Sequence, residues 1–231
     1  MGTGSQLLYG INGGGRVLDT TVDTTASGYG ISGPHTIQRV AVRGALVGIL
    51  NRGGTAGYKL DQLVLAVPAG ALGVVASATA TTTTTVTADH LTIVGDGSNT
   101  SIGASAQAIE AGPPQNAKLV LRSSIVRRVG HPLELRATNG AANIDVDHSD
   151  LNLGATKTMI VGSGAGAVAN LGGNVNVDPL FVSSADRHLQ PGSPTINAGR
   201  ATVQQNESTT DRDGLPRLVG AASDMGAYEV Q

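Results

Sequence analysis

The sequence predicts an all-β chain of the solenoid type, a parallel β-helix, on three observations. Short strand-like runs recur with a period in the twenties, no stretch of eleven residues keeps helical periodicity, and the composition is small and β-branched with hardly any rings. In 231 residues there are 33 glycines, one Phe, no Trp and 2% aromatic residues in all. Gly, Thr, Val and Asn are poor helix formers and interrupt every candidate helix. Strands stacked at about 4.8 Å crowd the inside of each turn, and that crowding favours Ala, Val, Ile, Leu and Gly over large rings.

The recurring runs are Ile37-Gln38-Arg39-Val40-Ala41-Val42, Leu60-Asp61-Gln62-Leu63-Val64-Leu65, Ala88-Asp89-His90-Leu91-Thr92-Ile93, Leu121-Arg122-Ser123-Ser124-Ile125, Val146-Asp147-His148-Ser149-Asp150 and, more loosely, Gly173-Asn174-Val175-Asn176-Val177. All but the last open with one apolar and two polar residues. Taking Arg39, Gln62, His90, Ser123, His148 and Asn174 as markers, the separations are 23, 28, 33, 25 and 26, an average of 27. Such a period with no helix per repeat indicates a β-solenoid rather than a leucine-rich or ankyrin array. With a first coil around Arg16 to Thr20 the count is about seven coils, a rod roughly 30 Å long. Hairpin dipeptides are sparse, with Asn-Gly at Asn12 and Asn139 and Asp-Gly at Asp96 and Asp213, so an antiparallel sandwich is the second choice. Composition shifts near Asp178, which divides the chain into coils over 1–177 and a C-terminal segment over 178–231.

Charge and cysteine content exclude several functions. Cys is absent, which removes disulfides, thiolate metal sites and cysteine nucleophiles. The formal net charge is -2 and the pI about 6.2, without the basic excess of a nucleic-acid or anionic-membrane binder. The apolar stretch from Val64 to Val75 falls short of the ~20 residues that span a bilayer. The start of the chain has no signal-peptide pattern, and the chain reads as a piece of a longer secreted protein.

In the repeat alignment Asp61, Asp89, Arg122 and Asp147 share one column on successive coils. Asp61 with Asp89 has the makings of a carboxylate pair for glycosidic chemistry. The preferred reading is a surface ion-pair ladder of alternating sign, each rung worth under ~1 kcal/mol. His90 and His148 read as corner side chains bonded to backbone. Asp145 and Asp147 alternate onto one face of a strand, which dissolves a Ca²⁺ cluster at Asp145–Asp150 into a solvated face. The threonines 81–85 resemble an ice-binding array on one coil only, and the glycine-rich pieces at Gly13–Gly15 and Gly162–Gly166 read as turns. The most basic stretch, Arg122, Arg127, Arg128, His131 and Arg136, is the place to expect an anionic partner such as a uronate. If the chain is an enzyme, Arg122, Arg128, His131 and Asp147 are its candidates, in a lyase or glycosidase on acidic glycans.

From Asn174 onward the sequence is more specific. Asn176-Val177-Asp178-Pro179-Leu180-Phe181, His188-Leu189-Gln190-Pro191-Gly192-Ser193-Pro194-Thr195-Ile196-Asn197-Ala198-Gly199, Thr210-Asp211-Arg212-Asp213-Gly214-Leu215-Pro216-Arg217 and Asp224-Met225-Gly226-Ala227-Tyr228-Glu229 follow in order. This resembles the C-terminal tail of secreted bacterial right-handed parallel β-helix repeat proteins, including those with a choice-of-anchor Q domain. The resemblance implies a right-handed solenoid with three parallel sheets, exported to the cell surface or medium, and it implies no single activity. Phe181 and Tyr228 are expected to cover the last coil as a cap. Asp211 and Asp213 resemble part of a calcium loop, a weak Ca²⁺ candidate beside the default of a tight Asp-Gly turn. The functional expectation is a non-catalytic secreted or surface module for structure or adhesion, able to bind extended polysaccharide and needing no cofactor. An acidic-glycan enzyme and an end-to-end assembly unit are the alternatives.

Overall fold

A computed structural model describes the chain except residues 1–8, 25–27, 34–35, 54–56, 80–81 and 206. It is all-β, with every strand pairing parallel. Strands come in triplets: β1 to β3 (Tyr9–Asn12, Arg16–Leu18, Thr21–Asp23), β4 to β6 (Tyr29–Ser32, Thr36–Gln38, Ala41–Arg43), β7 to β9 (Val47–Arg52, Tyr58–Asp61, Val64–Val67), β10 to β12 (Leu72–Ser77, Thr83–Asp89, Thr92–Gly95) and β13 to β15 (Ile102–Ala108, Gln115–Arg122, Ile125–Arg127). Equivalent strands of successive triplets pair, so the chain curls back over itself like a β-helix. Two long strands follow, β16 (His131–Asp147) and β17 (Lys157–Asn170). The first half of β16 pairs with β13 and its second half with β14, which joins the first two stacks into one 12-stranded sheet beside a 5-stranded one.

Apolar side chains stack in columns inside the curl. Ile31, Ile49, Val74, Ala104 and Leu133 form one, Ile37, Leu60, Ala88, Leu121 and Val146 a second, and Val42, Leu65, Ile93 and Val126 a third, all essentially without exposure. These three columns face one another as a single core, and each adds apolar burial worth roughly 25 cal/mol per Å².

The marker residues of the repeat mark corners, not strand interiors. Asp19, Arg39, Gln62, His90, Ser123 and His148 all adopt positive φ, between 44° and 59°. The runs from Ile37 to Ile125 therefore each end one strand, turn through a left-handed residue and begin the next strand in the 5-stranded sheet, whereas past His148 only a single bridge, Ile125 to Asp150, continues that sheet. The expected single strands are corrected accordingly: Thr36–Gln38, Arg39, then Ala41–Arg43 is the pattern. In the last run Gly173, at φ 63°, takes the corner in place of the Asn174 marker. The backbone amides of Gln62, His90 and Ser123 donate to the carbonyls of Asp89, Arg122 and Asp147, tying corner to corner.

A second column went unread in the sequence. Gly10, Gly30, Gly48, Gly73 and Gly103 stack in the first sheet, each flanked by matched register pairs. A Cβ on Gly73 would lie 2.4 Å from the Gly103 carbonyl oxygen and 3.1 Å from Ile93, and the same clash recurs at the other four. Glycine is required there because the β1, β4, β7, β10 and β13 stack passes close to side chains of the 5-stranded sheet.

Of the remaining expectations, Thr84 is buried and Thr83 and Thr85 pair with Asn116 and Lys118, so no threonine array continues on the next coil; Thr81 lies outside the described residues. Gly162–Gly166 falls within β17 rather than a turn, while Gly13 and Gly15 do lie in a bend at positive φ. Among the described residues no helix is long and apolar enough to cross a membrane, and no strand pairs with β17 on its far side.

The glycine column yields a direct test. Gly73→Ala should lower stability by about 1–3 kcal/mol, the usual cost of overpacking, read as a lower midpoint in chemical denaturation. An unchanged midpoint would contradict the close approach.

Candidate functional site

The structure places Asp61, Asp89, Arg122 and Asp147 as successive register partners on β8, β11, β14 and β16. The column is a ladder of charge, but it is not a surface ladder. Asp89 has no exposure and Asp61 1%, because Glu207, Ser208 and Ala227 of the C-terminal segment lie across this corner. Arg122 donates a two-pronged bond to Asp89, Nε to Oδ1 at 2.5 Å and Nη2 to Oδ2 at 2.9 Å. Lys59 Nζ is 3.9 Å from the same carboxylate. The same Nη2 of Arg122 lies 3.3 Å from Glu207, Glu207 meets Arg200 at 3.3 Å, and Arg200 reaches Asp147 at 3.4 Å. Burial, then the charge of Asp89, raises the Glu207 pKa against the pull of the two arginines.

Beside this chain lie two more buried groups. Ser208 N–H donates to Asp61 Oδ2 at 2.8 Å, and burial raises the pKa of that carboxyl. His90 Nδ1 is 3.6 Å from Asp61 Oδ1 and Nε2 is 3.4 Å from Ser223 Oγ. Burial and then the Arg217 charge push His90 well below its ordinary pKa, which keeps the ring neutral. The expected backbone bonds of the two corner histidines are corrected: His90 faces Asp61 and Ser223, and His148 Nδ1 lies 2.6 Å from Asp147 Oδ1. Asp145 does face outward with Asp147, where it pairs with Lys118 at 2.6 Å.

The four enzyme candidates divide. Arg122 and Asp147 are register partners within the covered corner. Arg128 is exposed past the end of β15, with one long contact from Nη2 to the Asp96 carbonyl at 3.4 Å. His131 opens β16, and its Nδ1 is 3.1 Å from the Ala155 carbonyl. The calcium candidates also diverge. Asp211 is buried and its carboxylate accepts the backbone N–H groups of Asp213, Leu215 and Glu229, while Asp213 pairs with His188 at 2.8 Å. Asp211 is thus an organiser of the Asp-Gly turn, in which Gly214 sits at φ 84°.

The residues that sequence reasoning missed are those of the C-terminal segment that partner the corner and one another. Arg217, with no exposure, donates to the carbonyls of Gly226 and Ala227 at 3.1 and 2.6 Å and lies 3.7 Å from Glu229. Glu229 accepts the Asp224 N–H at 2.9 Å, and burial pushes its pKa up to about 7. Asp224 accepts the N–H groups of Asn197 and Val230. The motif residues Asp211, Arg217, Asp224 and Glu229 therefore knit the segment together, and the motif itself was the only signal for them. Gly226 N–H and Ala227 N–H bond to Ser123 and Thr92, fixing the segment to the corner.

A second feature is an open cleft of about 730 Å³ where the end of β15 faces a small hairpin, Phe181–Leu189. Phe181 packs with Ile125, Leu189 and Met225 rather than facing solvent alone. The tip of the hairpin is held by His188, whose Nδ1 contacts Asp186 at 2.5 Å and whose Nε2 contacts Asp213 at 2.8 Å. Among the described residues no three His, Cys, Asp or Glu side chains group as metal ligands would. Compared with protein-family models, with curated proteins and with solved structures, the chain matches none of them.

The hairpin clamp predicts a pH dependence. Partial burial disfavours charged His188, but hydrogen bonds to Asp186 and Asp213 outweigh it and raise the pKa above 6.5. Asp186 is lowered below 3.8 by hydrogen bonds from the His188 backbone and ring. A raised histidine stabilises fully below its unfolded pKa and loses its contribution as pH rises through the folded value; the lowered carboxyl sets the acid limit in the opposite sense. Hydrogen exchange at residues 182–188 should therefore speed up as pH rises past neutrality, beyond the intrinsic base catalysis, and His188→Gln should abolish that excess.

Proposed function

We propose that the chain is a non-catalytic structural and adhesion module of the cell exterior, a right-handed parallel β-helix of seven coils able to bind extended polysaccharide. Residues 178–231 would act as its closing segment, covering the corner as well as the last coil. The observation that supports this reading is the state of the densest acid–base constellation among the described residues. Asp89 is buried and both oxygens of its carboxylate are held by Arg122, so the Asp61–Asp89 pair cannot present two available carboxylates to a substrate. General acid–base catalysis needs the group within hydrogen-bond reach of the reacting atom. Asp89, Arg122 and Glu207 are partnered from within the chain, while Asp61 Oδ1 and His90 Nδ1 face each other at 3.6 Å without a hydrogen bond.

A second reading, a lyase or glycosidase on acidic glycans, draws on Arg128. Its guanidinium lines an open cleft and has no carboxylate partner among the described residues. What this reading lacks is a base beside it, since His131 turns to Ala155.

One assay separates the two. The purified protein incubated with uronate-containing and with neutral polysaccharides, with and without Ca²⁺, should release no unsaturated product and no reducing ends. Turnover of any of them would overturn the structural reading.

A further inference from the structure

We propose that the cleft between β15 and the Phe181–Leu189 hairpin is a binding site for a carboxylate-bearing polysaccharide, with the guanidinium groups of Arg128 and Arg187 as its anion ligands. The proposal deepens the reading of the chain as a polysaccharide-binding module and rests on it.

Charge is the first ground. Three arginines line the cleft, Arg127, Arg128 and Arg187, against one carboxylate, Asp178. Arg127 is spent, because its fork holds Asp150 and its remaining nitrogen donates to Asn176 Oδ1 at 2.6 Å. Asp178 is partly spent as well, accepting the Leu180 N–H at 3.0 Å. The other two arginines have no carboxylate partner among the described residues. Arg128 makes its one long bond to Asp96, and Arg187 makes one to the Ser183 carbonyl at 3.4 Å. They are also close enough to repel: burial and then the charge of Arg128 lower the pKa of Arg187. Two guanidinium groups held together without a counter-charge are relieved by an anion, and a planar fork suits a carboxylate.

Shape is the second ground. Arg187 also lines a neighbouring cavity of about 310 Å³ that reaches Arg43 across Val64 and Ala66. Arg43 and Arg127 occupy one register column of the 5-stranded sheet, through Ala66 and Val94. Three strand spacings separate them, about 14 Å. The two cavities thus adjoin through Arg187, with Arg128 in the larger and Arg43, 4.0 Å from Asp23 and well exposed, in the smaller. That arrangement suits a chain of repeated anionic units better than a single small anion. Phe181 also lines the cleft and carries the Arg187 guanidinium 5.2 Å over its ring, which helps to hold that cation in place. The net charge of -2 and a lone aromatic wall do not suit a nucleic acid, which is recognised by denser cationic and stacking surfaces.

The experiment is titration calorimetry of the full chain with a galacturonate oligomer, a neutral glucan oligomer of the same length and a single-stranded oligodeoxynucleotide. Only the galacturonate oligomer should bind, and more weakly as salt increases. Arg128→Gln with Arg187→Gln should cut its affinity at least tenfold with an unchanged thermal midpoint. Arg128→Lys, which keeps the charge and loses the fork, should cut it less, and Arg136→Gln, outside the cleft, should leave it unchanged. No binding by the natural chain, equal binding of the glucan, preference for the oligonucleotide, or undiminished affinity in the double variant would overturn the proposal. Release of unsaturated product with affinity still dependent on Arg128 and Arg187 would instead overturn the non-catalytic reading and leave the cleft standing.

Discussion

The rest of the structure depends on parallel strands stacking one above another at about 4.8 Å. Each coil must repeat the path of the coil before it, so a conformational demand made once is made in a column. At the corner the demand is for a left-handed residue, met six times by non-glycine side chains from Asp19 to His148. Such a residue costs roughly 1–2 kcal/mol relative to ordinary backbone. The stack tolerates it because each corner is held by the next through amide-to-carbonyl bonds. Where the β1 to β13 stack approaches the 5-stranded sheet the same logic demands the absence of a side chain, met by Gly10, Gly30, Gly48, Gly73 and Gly103.

The corner is also where the polar side chains of the second sheet end, and stacking brings Asp61, Asp89, Arg122 and Asp147 into line. A bare ladder of this kind would be solvated and worth little. Here the C-terminal segment lies over it and supplies partners: Glu207 and Arg200 complete the charge pattern, and Ser208 N–H bonds one oxygen of Asp61. Buried ion pairs seldom gain net stability over apolar packing, and their best-attested use is to fix a unique arrangement. In this chain they fix where a segment with little regular structure of its own must lie. Arg217 does the equivalent inside the segment, gathering the carbonyls of Gly226 and Ala227 beside Glu229.

Much of this was legible in the sequence. The all-β class and the parallel stacking followed from the recurring apolar-polar-polar runs, and the charged column was aligned to the residue from Asp61 to Asp147. The runs were misread as strands because a left-handed corner carries no residue signature when Gln62, His90 and Ser123 fill it. The glycine column hid because its spacing follows the variable coil lengths, and glycines elsewhere mask it. Burial of the ladder was illegible for a different reason. It depends on contacts such as Asp61 with Ser208 and Arg122 with Glu207, between residues far apart in sequence, and the tail motifs showed only which residues mattered, not what they touched. The arginine stretch after Arg122 was seen as one basic face; the curl sends Arg122 to the covered corner and Arg128 to the open cleft, where Arg187 arrives from the hairpin.

The closed corner decides between the two readings, because a covered Asp61–Asp89–Arg122 column is architecture and an open one is a site. His90 lies in the middle of it, 2% exposed, between Asp61 and Ser223. The decisive measurement is an NMR titration of the His90 ring in the intact chain. The account predicts that the ring stays neutral through the ordinary histidine range, protonating only well below pH 6.5 if the fold survives there. A His90 that titrates near 6.5, as a solvated imidazole does, would contradict it.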